Sequence, residues 1–340
     1  MNTLKKIAFS ILASAFVFAN ANAGELSVTG SAKATYSIVS VDGSPTDQDT
    51  GKGIGIANEF TLGASGELDN GWTWSMNQDI DGATVQDDKS IVLGMGGMGS
   101  VKINISDGGL QKNFSSSQSV YGTPVDNGQT GSYADAGDTG AMNTIRYTAP
   151  SGLPLDLAVA VQYAPYTGSA DNNSSNAAGA LDANGNESAW EYAIDLVPME
   201  GLKIGASYYN PDDGAVAQNE EGGAWYATYS IGSLGFGYGK SYQASSLDTD
   251  TTSGVDYYEN TQMSVAFNVN DSLSVSYEDV ESKANYETAT DSRTMDVTSA
   301  QVAYTVAGMT LSLSTEEHDN TDYTTGNKLK ETNFAMVIAF

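Results

Sequence analysis

The sequence predicts an all-β fold, a transmembrane antiparallel up-and-down barrel of sixteen strands, on three observations. Apolar residues recur with period two in segments of about ten residues. The connections between segments alternate between short turns and long polar loops. Aromatic residues gather near the segment ends, as they do where strands enter and leave a bilayer.

The chain of 340 residues opens on Lys5 and Lys6, an apolar run from Ile7 to Ala19, and Ala21-Asn22-Ala23. A charged n-region, a short apolar h-region and a small-residue cleavage site make residues 1–23 a secretory signal peptide. The run is too short to cross a bilayer as a helix. Residues 24–340 then form the barrel as one domain. The chain carries 42 acidic and 14 basic side chains, a net charge of −28. The signal segment holds two lysines and no acid, so the remainder is more acidic still.

Composition excludes several classes of function. With no cysteine there is no disulfide framework, thiolate metal site or cysteine nucleophile, and one histidine rules out a multi-histidine metal centre. So acidic a chain lacks the clustered Lys and Arg that a nucleic-acid partner requires.

Leu155 to Tyr163 is the clearest alternating segment, apolar at odd positions and small or polar at even ones. Met263, Val265, Phe267 and Val269 repeat the pattern, as do Leu273, Val275 and Tyr277, then Trp190, Tyr192, Ile194 and Leu196. The last segment carries Phe334, Met336, Ile338 and Phe340. Short turns fall at 69–71, 97–99, 150–153, 198–201, 232–233, 270–271 and 307–309. Longer polar loops fall near 41–53, 82–88, 107–140, 166–187, 211–221, 244–255, 282–292 and 318–327. Seven turns and eight loops make fifteen connections, hence sixteen strands with both chain ends on the turn side. The seven prolines all fall in connections or at strand ends, where a residue without an N–H belongs.

Alternation alone fits a soluble barrel or sandwich with its apolar face inward. Three features favour the inverted arrangement. Sixteen closed strands enclose a lumen too wide for side chains to fill. Short turns on one rim and long loops on the other match an outer-membrane barrel. Trp72 and Trp74 follow a turn, while Tyr36, Tyr163, Tyr208, Tyr257 and Tyr277 approach loops, as interfacial girdles require.

The signal ending in Ala23, the opening strand from Glu25 to Gly30, sixteen strands, a longest loop between strands five and six, and a final strand ending in Phe340 carry a resemblance. Together they make the chain similar to the general diffusion porins of Gram-negative outer membranes, in particular the alphaproteobacterial type. The resemblance spans essentially the whole mature chain. It implies a non-enzymatic, water-filled channel in the outer membrane, through which small hydrophilic solutes and ions diffuse passively. It also implies a homotrimer, a third loop folded into the lumen, and recognition of Phe340 by the barrel-assembly machinery. The second loop, which latches onto a neighbouring subunit in the family, is short here.

The third loop, about 107–140, is rich in Ser and Gly and contains Phe114, Tyr121 and Tyr133. A loop of this length is functional or disordered. Inside the lumen, its Asp126, Asp135 and Asp138 oppose charges on the wall. Val101, Ile103 and Ile105 face lipid, so Lys102 faces inward; Lys33, Arg146 and Lys203 follow by the same parity. These seven residues are the expected constriction, because opposed charged rings select ions by sign. Many members of the family place an arginine cluster on the early strands, whereas this chain has only Arg146 and Arg293. Glu59, Glu67, Asp79 and Asp81 occupy inward positions instead, which predicts a preference for cations. The other readings are a substrate-selective channel and a plugged structural or adhesin barrel.

Other motifs yield less. Gly94, Gly96 and Gly99 match G-x-G-x-x-G, but the following residues alternate as a strand, so the glycines form a turn. His318 sits among Glu316, Glu317 and Asp319 and reads as a solvated loop residue rather than a catalytic base. Asp248, Asp250 and Glu259 have calcium-loop spacing, but Ser253 replaces the required glycine. No cofactor is expected. Acidic loop residues, including Asp47, Asp49, Asp87, Asp88, Glu220 and Glu221, either form a solvated surface or gather Ca²⁺ or Mg²⁺ that bridges to lipopolysaccharide.

Overall fold

The computed structural model describes residues 25–42, 51–81, 88–123, 136–167, 188–212, 218–244, 254–286 and 292–339. The signal segment 1–23, the loop carboxylates Asp126 and Asp135, and Phe340 lie outside these residues, as do Asp47, Asp49, Asp87, Asp248 and Asp250.

Sixteen strands form one sheet. The first six are β1 (Glu25–Asp42), β2 (Gly51–Glu67), β3 (Thr73–Asp81), β4 (Lys89–Gly94), β5 (Ser100–Ile105) and β6 (Asn143–Thr148). Next come β7 (Ala158–Ala164), β8 (Ala189–Met199), β9 (Leu202–Pro211), β10 (Glu221–Ile231) and β11 (Leu234–Ala244). The last five are β12 (Val255–Asn268), β13 (Leu273–Tyr286), β14 (Arg293–Val306), β15 (Met309–Asp319) and β16 (Lys328–Ala339). Each strand pairs antiparallel with its sequence neighbours, and β1 pairs with β16 from Ser31↔Ala339 to Asp42↔Lys328 to close the barrel. Closure pairs both edges, so no row of backbone donors and acceptors is left unsatisfied.

Side-chain parity gives the two faces opposite characters. Ile54, Ile56, Met263, Phe267, Tyr277, Tyr304, Leu313 and Phe334 are exposed on the convex face. Asn260, Gln262, Ser276, Glu278, Ser299, Gln301, Ser312, Ser314 and Asn333 are buried on the concave face. A water-soluble barrel would show the reverse.

Two short turns are held by asparagine side chains. Asn270 Oδ1 accepts from the backbone N–H groups of Ser272 and Leu273 at 2.9 and 3.0 Å, and Asn70 Oδ1 accepts from Trp72 N at 3.1 Å. These Asx contacts reverse the chain locally. The glycine motif is a turn: Gly96 and Gly99 take φ of 60° and 85° on either side of Gly97 and Met98, and β5 starts at Ser100.

Three details differ from the sequence reading. The segment from Leu155 does not begin as a strand: 154–156 form a 3₁₀ turn with Leu155 and Asp156 at φ of 61° and 48°, and pairing starts at Ala158. β13 continues to Tyr286, five residues into the expected loop. His318 is not a solvated loop residue. It lies on β15 facing inward, 2% exposed, with Val297 and Leu329 as its cross-strand neighbours.

The last two differences share a cause, since the faces exchange character near the loop ends of β13–β16. Inward Val280, Ala284, Met295 and Val297 pack with Tyr323 into an apolar cluster. Outward Glu281, Asp296 and Asp319 stand directly opposite one another on three successive strands. The charge density that reads as a loop is one strand displaying acids on alternating faces.

Candidate functional site: the inner face and the loop after β5

The segment following β5 is hydrogen-bonded along the concave wall. At its start, Lys102 on β5 lies 2.7 Å from Asp107. The Arg146 guanidinium on β6 donates to the Gly108 and Gly109 carbonyls at 2.7 and 3.1 Å, and its Nε donates to Gln162 on β7. Glu191 on β8 then holds both legs of the loop. Its Oε1 accepts from Leu110 N on the outgoing leg at 2.7 Å, and its Oε2 accepts from the Thr139 hydroxyl on the returning leg at 2.7 Å.

Further along, Lys112 N donates to Ser207 Oγ at 2.9 Å, and Lys112 Nζ lies 2.8 Å from Asp195. Ser264 on β12 donates to the Ser116 carbonyl at 2.7 Å and accepts from Gln118 N at 3.1 Å. The Ser117 and Ser119 hydroxyls both donate to Glu278 Oε2 on β13 at 2.6 Å. Beyond them Gln301 on β14 clasps the chain, accepting from Tyr121 N at 2.9 Å and donating to the Gly122 carbonyl at 2.6 Å. The described outgoing leg thus contacts inward side chains from β5 to β14.

The sequence-predicted residues divide accordingly. Lys33 lies 5.1 Å from the Tyr121 ring centroid. Burial, and then the Glu316 and Glu331 carboxylates, push the Tyr121 phenol above its ordinary value, so the ring meets the ammonium as a neutral π face. Lys203 lies 3.7 Å from Asp195 and 5.6 Å from the Tyr226 centroid. Asp138 bends back on its own leg, accepting from Gly140 N at 2.8 Å. All four wall cations face inward as parity requires, and each has a partner.

Sequence reading missed Lys112 and the buried acids Glu191, Glu278, Glu316 and Glu331. Parity was the available signal: Glu278 follows Tyr277 on the face opposite Leu273, Val275 and Tyr277. Glu316 and Glu331 stand directly opposite each other, and His318 Nε2 is 4.0 Å from Glu316. Among the described residues no group of three or more His, Cys, Asp or Glu is arranged to hold a metal ion.

Coverage of the wall is uneven. Inward Glu191, Gln262, Glu278, Ser299 and Ser314 are buried, whereas inward Glu67, Thr73 and Asn77 on β2 and β3 are exposed.

No protein-family model and no curated protein matches the sequence. Solved structures do. An anion-selective porin from Comamonas acidovorans superposes with a TM-score of 0.66 at 11% identity, over 93% of this chain and 100% of that one. OmpF of Salmonella typhi gives 0.64 at 15% identity, over 94% and 98%. OmpT, an outer membrane protein of Vibrio cholerae, gives 0.66 at 11% identity, over 94% and 99%. Along nearly its whole length, then, the chain has the closed sixteen-strand barrel fold of outer-membrane porins.

Proposed function

We propose that the chain is a Gram-negative outer-membrane porin, a non-enzymatic channel for passive diffusion of small hydrophilic solutes and ions, with a preference for cations. The observation that carries this reading is the inversion of the two faces: apolar side chains outside, and a polar inner wall with exposed positions on β2 and β3. Hydrocarbon suits the first and water the second. The outward row of Glu281, Asp296 and Asp319 above the apolar belt fits strands that rise out of the hydrocarbon.

In this reading the loop 107–140 lies in the lumen and narrows it. Its hydrogen bonds to inward side chains from β6 to β14 support that position. Among the described residues the exposed inward positions lie on β2 and β3, which argues against a plugged barrel. The seven expected constriction residues then act unequally. Lys102 and Arg146 fasten the loop, Lys33 lies against it, Lys203 is drawn to Asp195 and Asp138 bends back on its own leg, while Asp126 and Asp135 lie outside the described residues.

The cation preference follows from this use of the basic groups. Lys102 is offset by the Asp107 carboxylate, and Lys112 and Lys203 share Asp195, while Glu67 and Asp79 remain on the inner face of β2 and β3. A porin of the same fold is named anion-selective, so the charges inside the barrel, rather than the barrel, decide the sign. A homotrimer in contact with lipopolysaccharide, assembled through recognition of Phe340, completes the proposal. Reversal potentials in a KCl gradient, together with liposome swelling in sugars of graded size, test it. Cation-selective potentials and size-dependent swelling are expected; an anion-selective potential contradicts the preference, and absence of swelling contradicts the diffusion pore.

A further inference from the structure

We propose that Gly237 on β11 and Gly222 on β10 are the seats that fix how far the loop 107–140 projects from the wall, and thereby set the width of the pore. The inference rests on that loop being the constriction of a water-filled lumen.

Both legs of the loop cross the wall over these two adjacent strands. The outgoing leg places the Ser116 carbonyl oxygen against Gly237, and the returning leg places the Ala136 carbonyl oxygen against Gly222. A Cβ on either glycine would overlap that oxygen. Neither glycine has a positive φ. Their backbones therefore suit any residue, and it is the approach of the loop that demands a missing side chain.

The loop has little lateral freedom at these points. Ser116 is fully buried, its carbonyl is held by Ser264 at 2.7 Å, and its hydroxyl donates to Gln262. Ala136 is 1% exposed, and three residues later Thr139 is held by Glu191. With the wall behind it, the backbone relieves an added methyl by moving toward the barrel axis. Restoring ordinary contact requires a displacement on the order of 2 Å. Gly235, two residues earlier on the same face, provides the contrast. A Cβ there meets only the Gln118 side chain, whose Oε1 at 2.6 Å is the far end of a flexible group that swings aside.

The test compares single-channel conductance and exclusion of neutral polymers of graded size for the wild-type chain, Gly237→Ala, Gly222→Ala and Gly235→Ala. Heat-modifiable electrophoretic migration establishes that each barrel is folded. Gly237→Ala and Gly222→Ala are expected to lose conductance and exclude smaller polymers, while Gly235→Ala matches wild type. Should Gly237→Ala not fold, Gly222→Ala carries the comparison. Folded seat variants with wild-type or higher conductance overturn the proposal. A wild-type chain that conducts nothing contradicts the pore reading instead, so the two failures are distinguishable.

Discussion

The Lys102 ammonium lies 2.7 Å from the Asp107 carboxylate, joining β5 to the loop that follows it. Each charge offsets the other in the field that a passing ion meets. Asp107→Asn removes the offset and leaves Lys102 as a net positive charge beside the path. Lys102→Gln does the opposite. The cation-to-anion permeability ratio is expected to fall in the first variant and rise in the second, as measured by reversal potential. Equal ratios in both would mean that this pair lies off the ion path.

Glu278 accepts hydroxyl hydrogen bonds from Ser117 and Ser119 and an amide hydrogen bond from Gln262. Glu278→Ala deprives these buried donors of their acceptor, at about 1–3 kcal/mol for each group left unsatisfied. The loop should loosen while the barrel persists. Greater open-channel noise and faster proteolysis within residues 107–140 are the expected signs, and a quiet, protected channel would assign Glu278 no holding role.

Leu313 and Ser314 are neighbours in sequence on opposite faces, the first exposed and outward, the second fully buried and inward. Leu313→Arg places a charge toward hydrocarbon and should destabilise the folded barrel by about 2–4 kcal/mol if the site lies near the bilayer midplane. Denaturant titration in lipid vesicles measures the difference. A cost near zero would remove Leu313 from the lipid face.

Trp190 and Trp225 are exposed on the convex face, with Trp190 stacked 6.2 Å from Tyr192 and Trp225 set 5.6 Å from Tyr238. In vesicles of brominated lipid, tryptophan emission should be quenched, most strongly when bromine sits near the headgroups. Emission indifferent to brominated acyl chains would contradict the lipid-facing assignment of these side chains.

The barrel was legible because each strand states its two faces with period two, and because turn and loop lengths alternate around a closed sheet. That parity also placed Lys33, Lys102, Arg146 and Lys203 on the inner wall. What it lacked was the third dimension inside the lumen. Nothing in the spacing of Gly108, Leu110 or Ser117 reveals which wall groups they meet, since those partners are 38 to 161 residues away in sequence. The spacing therefore gives no hint that Lys102 and Arg146 also contact the loop. His318 was misplaced for a local reason: flanking acids mimic a loop where the strand's inner face has become apolar through Val297 and Leu329.

The central claim, that a polar lumen conducts through a barrel whose apolar face meets lipid, is tested most directly by adding purified, detergent-folded protein to a planar bilayer. The account predicts discrete, ohmic conductance steps that shrink when neutral polymers small enough to enter are added. A protein that inserts stably and passes no current would contradict it.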